Sequence, residues 1–595
     1  VMNVAGGSLY GVPVVLIGHT EGVAWSHTVS TAFRFTPFEL TLVPGAPTTY
    51  LVDGEPKVME QVPVTIEVKT DSGIEERSKS IWRTDYGWVT TGLLGLPIFP
   101  WTSGKAWALG DANEHMRYLN HFFEINHAQN TSEVQRILKE YQGIPWVNTI
   151  SADRDGKAYY ADIGSIPNVP DAHADRCNTA TGVGTTGLIG LPVLDGSRSD
   201  CAWQTDEDAV APGIFGPGNL PDLFRNDYVS NSNDSYWLTN PEEPITGYAE
   251  IIGDEETART LRTRLGLRIV LDRMAGSDEY TAIHPDRFTQ DILQDAVFNN
   301  RQHAGELTRD AAVAMCRSFP GGQAPSSSGP VAVEQDGVNA CDVLEAWDLR
   351  DNLDSVGALL FRRFWTHADD ATGGPWVNGF DVEDPVNTPN TLNTDHPEVQ
   401  EAFGNAINDL VGAGIPLDAP LGNWQHEDRD DEAMYGDVDT VGAIPIHGGP
   451  GSLGVFNAIN VSWDGDASDG DAGYPDVDHG SSFVMVAHFV DGDCPVDADA
   501  IVTYSQSENP NSPWFADQTR AYSEKRWNDM PFCESEIAAA TVDTTTIAQA
   551  APSGGGGSEA PAADEDDLPT TGGGFGLMGL SVLGLAGLAG RRRRS

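Results

Sequence analysis

The sequence has few basic residues. Lys and Arg total 35 against 88 Asp and Glu among 595 residues, a formal net charge of -53. No Lys/Arg-rich patch occurs before the last five residues, so a phosphate backbone would be repelled and nucleic-acid binding is not expected. The acidic residues are spread through loops, as on a solvated surface or on an exported protein that works in high salt. Apolar residues make up 40%, enough for a packed interior, which excludes disorder for the bulk of the chain.

The sequence also lacks the short motifs of several self-contained active sites. Gly-x-Ser-x-Gly, His-Glu-x-x-His and P-loop patterns are absent, and the 14 histidines show no metal-ligand spacing. The acidic segment 464–471 offers oxygen atoms to calcium but lacks the closing Glu of an EF-hand, and a solvated acidic loop is the favoured interpretation. We therefore predict neither a metal nor a cofactor.

Six cysteines occur, and none belongs to a CxxC or Cys/His cluster that would indicate zinc. An even number in an exported chain favours disulfides, whereas a cytosolic enzyme would keep six free thiols. Pairing of consecutive cysteines predicts three disulfides: Cys177–Cys201, Cys316–Cys341 and Cys494–Cys533.

The two ends of the chain differ from its body. The chain begins at Val1 without an initiator Met or a signal peptide, so we expect a processed piece whose targeting information lies upstream. Residues 538–567 are rich in Ala, Gly, Ser and acid, which predicts a disordered linker. Residues 568–595 then combine Leu-Pro-x-Thr-Gly, an apolar run over 573–590 and four arginines.

That C-terminal combination resembles a bacterial cell-wall sorting signal. The resemblance implies that a sorting transpeptidase cleaves between Thr571 and Gly572 and attaches the protein at the extracellular surface. The alternative is an ordinary C-terminal membrane anchor, since the apolar run barely spans a bilayer and ends in cytoplasmic arginines. The predicted signal consists of Leu568, Pro569, Thr570, Thr571 and Gly572.

Between these ends, strand-like and helix-like segments follow in blocks. Apolar or β-branched runs predict strands at 11–18, 23–30, 62–68, 81–84, 482–489 and 500–504. Helical periodicity occurs at 132–141, with a capping pattern at Ser132, and at 256–274 and 288–298. The Gly/Ser/Pro-rich segment 320–330 predicts a surface loop. Strands, then helices, then strands indicate an α+β fold and not an alternating βαβ fold.

Three segments carry a family resemblance. They are I-G-H-T…V-A-W-S-H-T-V at 17–29, Q-G-I-P-W-V-N-T at 142–149 and N-S-N-D-S-Y-W-L-T-N-P at 231–241. With supporting segments at 451–457 and 479–483, they resemble the penicillin acylase family of N-terminal nucleophile hydrolases, closest to its acyl-homoserine-lactone and aculeacin A acylase branch. The resemblance implies a four-layer αββα fold with helical insertions, and a catalytic large-subunit domain over residues 1–537.

The resemblance also implies the chemistry. A precursor cuts itself, and the new N-terminal Ser of the large subunit attacks an amide while its own α-amine accepts the proton. The implied oxyanion donors are the backbone N–H of Val29 and the side-chain amide of Asn233. Taken alone, these are a strand residue and a turn residue. Four residues match apolar positions of the acyl pocket, a role compatible with simple core packing: Leu9, Ile17, Phe122 and Trp146.

Two departures from the family pattern matter. The nucleophile and the small subunit are expected upstream of Val1, which itself has no hydroxyl or thiol. The stretch 30–35 lacks the Asp that helps to bind calcium in the penicillin-G branch. The predicted function is hydrolysis of an amide that joins an acyl chain to a polar amine, in an acyl-homoserine lactone, a lipopeptide or a β-lactam side chain. The fragment alone is predicted to be inactive, and the alternative is a non-catalytic cell-surface binding module on the same fold.

Overall fold

The computed structural model describes residues 2–70, 73–92, 97–284, 288–428, 441–466, 472–475 and 477–546. The strands in chain order are Ala5–Gly7 (β1), Ile17–His19 (β2), Val23–Val29 (β3), Phe35–Val43 (β4), Ala46–Val52 (β5), Glu55–Val58 (β6), Glu60–Thr70 (β7), Gly73–Thr84 (β8), Gly87–Thr90 (β9), Lys105–Asp111 (β10), Val147–Asp153 (β11), Ala158–Ala161 (β12), Leu194–Asp195 (β13), Asp222–Arg225 (β14), Gln323–Ala324 (β15), Val331–Ala332 (β16), Glu334–Gln335 (β17), Val338–Asn339 (β18), Trp376–Asn378 (β19), Asn390–Leu392 (β20), His426–Asp428 (β21), Ala443–Pro445 (β22), Ile459–Val461 (β23), Val477–Gly480 (β24), Phe483–Phe489 (β25), Val496–Val502 (β26) and Asn528–Asp529 (β27).

The α-helices are Arg117–Ile125 (α1), Thr131–Tyr141 (α2), Asp171–Cys177 (α3), Ala180–Ile189 (α4), Leu261–Ala275 (α5), Gln290–Phe298 (α6), His303–Ser318 (α7), Ala340–Ala346 (α8), Ala358–Asp369 (α9), Pro397–Gly412 (α10), Asp517–Ser523 (α11) and Glu534–Ala540 (α12).

Two antiparallel sheets form the first half of the chain. One has the order β1-β2-β3-β11-β12-β14, and the other has the order β6-β5-β4-β10-β9-β8-β7, with β13 parallel to β4. Because side chains alternate between the faces of a strand, Trp25 of β3 and Tyr160 of β12 lie on opposite faces of the first sheet. Both belong to one hydrophobic cluster together with Phe38 of β4 and Ala108 of β10, so this core involves both faces of the first sheet and also the second sheet. Helix α2 contacts β11 and β12 on the outer face of the first sheet.

A second core holds the helical middle of the chain together. Helices α7 to α10 pack around buried aromatic residues that include Phe361, Trp365 and Phe403. The three-stranded sheet β25-β26-β27 follows, with Tyr522 of α11 in a smaller cluster beside Ile501 of β26. The predicted α+β composition and the helical insertion are therefore present.

The predicted strand 11–18 was wrong over most of its length. Only residues 17–19 form β2, because Gly11 has a φ of 79° and turns the chain. Asn126 also replaces a strand partner: its side-chain oxygen accepts from the Val15 amide at 2.9 Å, and its nitrogen donates to the Val15 carbonyl at 2.8 Å. An apolar run alone does not reveal such a side-chain partner.

Three predicted helices are present with different starts. Helix α2 is capped by Asn130 and not by Ser132, because the Asn130 side chain accepts from the Glu133 amide at 2.9 Å. Helices α5 and α6 begin later than predicted, after the caps Thr260 and Thr289. In each case an Asn or Thr side chain satisfies an amide of the first turn.

The predicted strands at 62–68 and 81–84 are parts of one long hairpin, β7–β8, which is largely exposed. The predicted strands at 482–489 and 500–504 correspond to β25 and β26, and β26 ends at Val502. The predicted loop 320–330 contains the strand β15, which pairs with β16.

At the C-terminal end, α12 runs to Ala540, so its last residues lie within the segment predicted as a linker from residue 538. Residues 541–546 have no regular secondary structure. The remainder of the predicted linker and the sorting signal at 568–572 lie outside the described residues. Within the described ranges, no helix combines the length and apolar character that a membrane crossing requires.

Candidate active site

The C-terminal end of β3 has one open edge. The Ser30 amide donates to the Trp146 carbonyl at 2.9 Å, on the side of β11. Because N–H groups alternate between the two edges of a strand, the Val29 amide points to the opposite edge. There, within the described residues, β2 pairs with β3 only as far as Gly18 opposite Trp25. The Val29 N–H therefore lies beyond the end of β2, where a backbone donor can bind an oxyanion.

The loop 231–235 is tied to this end of β3. Thr28 Oγ1 donates to Asn231 Oδ1 at 2.6 Å, and the backbone N–H of Asn233 donates to the same oxygen at 3.0 Å. Asn231 Nδ2 in turn donates to the Asp234 carbonyl at 2.8 Å. Since Thr28 precedes Val29, these bonds bring the two predicted oxyanion donors, Val29 and Asn233, to the same end of the strand.

Arg262 orients the side chain of Asn233. The Asn233 backbone has a φ of 58°, a left-handed conformation that Asn tolerates better than most residues. Arg262 Nη2 donates to Asn233 Oδ1 at 2.8 Å and to the Ser232 carbonyl at 2.7 Å. A guanidinium has only donors, so it holds the amide oxygen towards itself and leaves Nδ2 facing away. Arg262 thus fixes the orientation of the Asn233 side-chain amide, a contact that we did not predict.

Two glycines allow the surroundings to approach this loop. A Cβ added at Gly451 would lie 3.1 Å from Arg262 Nε, and one added at Gly266 of α5 would lie 3.1 Å from the Phe456 ring. Such distances are tighter than ordinary van der Waals contact, so a side chain at either position would push these groups apart. The segment 451–457, which supports the family resemblance, therefore packs closely against Arg262 and α5.

A buried ion pair anchors the same loop to the start of α5. Arg259 Nη1 lies 2.8 Å from Asp234 Oδ1, and both side chains are almost completely buried. Thr263 Oγ1 donates to the other carboxylate oxygen of Asp234 at 2.8 Å. Removing one member would leave an uncompensated buried charge, so the pair fixes the loop that carries Asn233 beside the start of α5.

The stretch that follows β3 is also fixed by a buried ion pair. Arg34 Nη2 lies 2.6 Å from Asp162 Oδ1, and Ser30 Oγ donates to Asp162 Oδ2 at 2.5 Å. The Arg34 side chain is fully buried. One buried ion pair therefore fixes the segment after β3, and another fixes the loop 231–235.

The four residues predicted to line the acyl pocket are not equally enclosed. Phe122 is buried, and its ring packs edge-to-face against His27 of β3 with centroids 5.6 Å apart. Trp146 is half-buried and immediately precedes β11, and Ile17 is the first residue of β2. Leu9 lies on a turn, with 51% of its surface exposed. Three of the four thus lie close to β3, and their binding role stays a prediction.

Two histidines that we did not predict lie beside Phe122, one of the predicted pocket residues. The Phe122 ring packs against both His27 and His121. Burial lowers the pKa of His27 to about 4 and the pKa of His121 to about 3. Both imidazoles are therefore neutral at neutral pH and add no charge to the apolar wall.

All three predicted disulfides are confirmed: Cys177–Cys201, Cys316–Cys341 and Cys494–Cys533. In the described ranges, the one group of three possible metal ligands is Cys494, Cys533 and Glu536, and both of its cysteines belong to the third disulfide. Residues 467–471 of the acidic segment lie outside the described residues.

A cavity of about 310 Å³ lies in the helical part of the molecule. Its lining includes Arg301, Glu306 and Arg350, and Arg301 pairs with Glu306 at 2.6 Å. None of the predicted site residues lines it. This cavity is therefore separate from the arrangement at the end of β3.

Two sheets with flanking helices and a helical insertion give the chain the fold of the N-terminal nucleophile hydrolases. The chain belongs to the penicillin amidase family, whose sequence profile matches residues 1–539. It is 41% identical over 541 residues to aculeacin-A acylase from Actinoplanes utahensis. It is 32% identical over 550 residues to the acyl-homoserine lactone acylase PvdQ from Pseudomonas fluorescens. Each match covers 90% of this chain and 64% of the relative.

The chain thus spans 64% of the length of these two curated relatives. A solved structure, thermostable penicillin G acylase from Alcaligenes faecalis, aligns with a TM-score of 0.55 at 15% identity. That alignment covers 92% of each chain. The predicted fold and the predicted family branch are confirmed.

Proposed function

We propose that this chain is the large-subunit part of an amide hydrolase that removes an acyl chain from a polar amine. Its similarity to an aculeacin-A acylase and to acyl-homoserine lactone acylases supports this substrate class. The candidate substrates are acyl-homoserine lactones, lipopeptides and β-lactam side chains. The small subunit of this enzyme is proposed to come from the same precursor. It would correspond to a part of the relatives that this chain does not cover.

The proposed reaction divides the work between this chain and the segment upstream. The N-terminal nucleophile of the processed large subunit attacks the amide carbon, and its α-amine takes the hydroxyl proton. The Val29 N–H and the Asn233 amide stabilise the oxyanion. The amine leaves with the proton, and water then hydrolyses the acyl-enzyme. The observation that carries the proposal is the Arg262–Asn233 contact, because it turns the amide nitrogen of Asn233 away from the guanidinium on a loop that is bonded to the end of β3.

The alternative, a non-catalytic binding module on the same fold, has no specific observation in its favour. A binding module would not need the Asn233 side-chain amide to be oriented by Arg262 near the end of β3. The test is to express the full-length precursor, to sequence the N-terminus of its large chain and to assay the three candidate substrates by mass spectrometry. A new Ser, Thr or Cys N-terminus together with amide cleavage supports the proposal. An unprocessed, inactive precursor favours the binding module.

Residues 1–537 are proposed to form the catalytic domain, and residues 538–567 are proposed to link it to a surface anchor at 568–595. The support is the sequence pattern alone: a Gly/Ser-rich acidic stretch, Leu-Pro-x-Thr-Gly, an apolar run and four arginines. This arrangement would place the enzyme outside the cell and on its wall, where the three disulfides are stable.

A further inference from the structure

Helix α4 lies on the outer face of the eight-stranded sheet. In β10, Ala106 and Ala108 belong to the large core cluster, and Trp107 between them points to the opposite face of the sheet. Trp107 packs there against Phe99 and Val193, and Val193 follows α4. The outer helical layer on this sheet therefore includes α4.

The contact of α4 with the sheet leaves its other side open. Thr181 Oγ1 donates to the Glu39 carboxylate of β4 at 3.3 Å. Gly182 is buried, and a Cβ there would lie 2.6 Å from the Val193 carbonyl. The opposite face of α4 is exposed: Ala180, Val183, Gly184, Gly187 and Leu188.

These exposed residues form one continuous stripe, which we call the α4 stripe. Their spacing of three or four residues places them on one helix face. Val183 is 66% exposed and Leu188 is 58% exposed. A Cβ added at Gly184 or Gly187 would meet no atom within 4 Å. Large apolar side chains thus flank a shallow, open groove.

The α4 stripe is uncharged on a strongly acidic protein. No charged residue occurs from 177 to 194, although the chain has a net charge of -53. The sequence T-T-G-L-I-G-L-P-V at 185–193 is nearly repeated as T-T-G-L-L-G-L-P-I at 90–98, of which 93–96 lie outside the described residues. Ile98 is 46% exposed, and Phe99 next to it packs against Val193. A further exposed apolar residue, Ile98, therefore lies near the segment that follows α4.

We infer that the α4 stripe docks a helix of the small subunit cut from the same precursor; this inference rests on the proposed function. The curated relatives are longer than this chain, which covers 64% of their length. A stripe with small residues four apart, Ala180 and Gly184, lets a second helix approach closely. The bulkier Val183 and Leu188 would then be buried against that helix.

Two other occupants fit the charge poorly. An anionic membrane and a second copy of this chain would each be repelled by a net charge of -53. A subunit that folds as part of the same precursor is held at a high effective concentration before cleavage. It can therefore cover an apolar stripe in spite of the acidic surroundings.

The direct test is hydroxyl-radical footprinting of the full-length protein with mass-spectrometric detection. We expect oxidation of Leu188 to be at least fivefold slower than oxidation of Ile66 and Ile74, exposed residues of the β7–β8 hairpin that serve as internal controls. Equal oxidation of all three residues overturns the inference. The measurement needs no turnover, so it remains informative if the protein proves to be inactive.

Matched variants test the same surface by subunit retention. In the processed protein, Gly184→Leu fills the groove without adding charge and, at an open helical position, does not harm the fold of α4. We expect it to lower the amount of small chain that co-elutes with the large chain at least threefold in gel filtration at low urea. The hairpin variant Ile74→Leu should retain wild-type amounts. Full retention by Gly184→Leu, or an equal loss in both variants, contradicts docking at the α4 stripe.

Discussion

Replacing Asn233 in the full-length, processed enzyme separates its two roles, as a turn residue and as an oxyanion donor. Asn233→Asp keeps the left-handed backbone conformation and the contact with Arg262, but the carboxylate has no N–H to donate. Asn233→Ala loses the donor as well, and it places Ala at a φ of 58°, which costs roughly 1–2 kcal/mol of stability. The Asp variant is therefore the cleaner probe of the chemistry.

Loss of one of two oxyanion donors typically lowers turnover about 10²–10³-fold, or about 3–4 kcal/mol of transition-state stabilisation. We expect kcat to fall by that amount in Asn233→Asp, while KM changes less than about threefold, because the oxyanion exists only after attack. Steady-state kinetics on the preferred acyl substrate measure both values, and thermal unfolding checks that the fold is retained. An Asp variant with kcat within about fivefold of wild type would refute the donor assignment.

Four further outcomes are expected. Arg262→Lys should lower kcat about tenfold with an unchanged melting temperature, because a single amine does not fix the Asn233 amide as the guanidinium does; equal activity would exclude the positioning role. The pKa of buried His121 is lowered to about 3 from 6.5, so the unfolded state binds more protons below pH 6.5, and the free energy of unfolding should fall as the pH is lowered from about 6.5 to about 4. In urea titrations His121→Phe should flatten that fall, and an unchanged slope would contradict it. Removal of any one disulfide by a Cys→Ser pair should cost about 3 kcal/mol of unfolding free energy, and thiol titration of the unreduced, denatured wild type should find no free thiol. Mass spectrometry of wall-released protein should find a C-terminus at Thr571, and a mature chain that keeps its terminal arginines would instead indicate a simple membrane anchor.

Local patterns predicted those parts of the fold that local forces decide. The alternating β-branched and aromatic residues at 23–29 form β3, and the consecutive cysteines form the three disulfides, each within one neighbourhood of the chain. The run 11–16 failed as a strand because its partner is the side chain of Asn126, which lies on a distant segment. A window of neighbouring residues contains no trace of that contact.

The candidate site shows the same limit. Val29 and Asn233 could be predicted only through the family resemblance, since each is an ordinary strand or turn residue when taken alone. Arg262 was missed because its contact with Asn233 joins the start of α5 to a separate loop. Arg259 is brought to Asp234 of the same loop in a similar way, and neither pairing leaves a signal in the sequence.

We propose that this chain supplies the oxyanion hole while a nucleophile outside it attacks the substrate. The most direct measurement is a structure of the processed full-length enzyme with a phosphonate or boronate that mimics the tetrahedral intermediate. We expect one oxygen of the bound inhibitor to lie about 2.7–3.1 Å from both the Val29 nitrogen and Asn233 Nδ2. An inhibitor bonded to the N-terminal nucleophile whose oxygen contacts neither atom would contradict it.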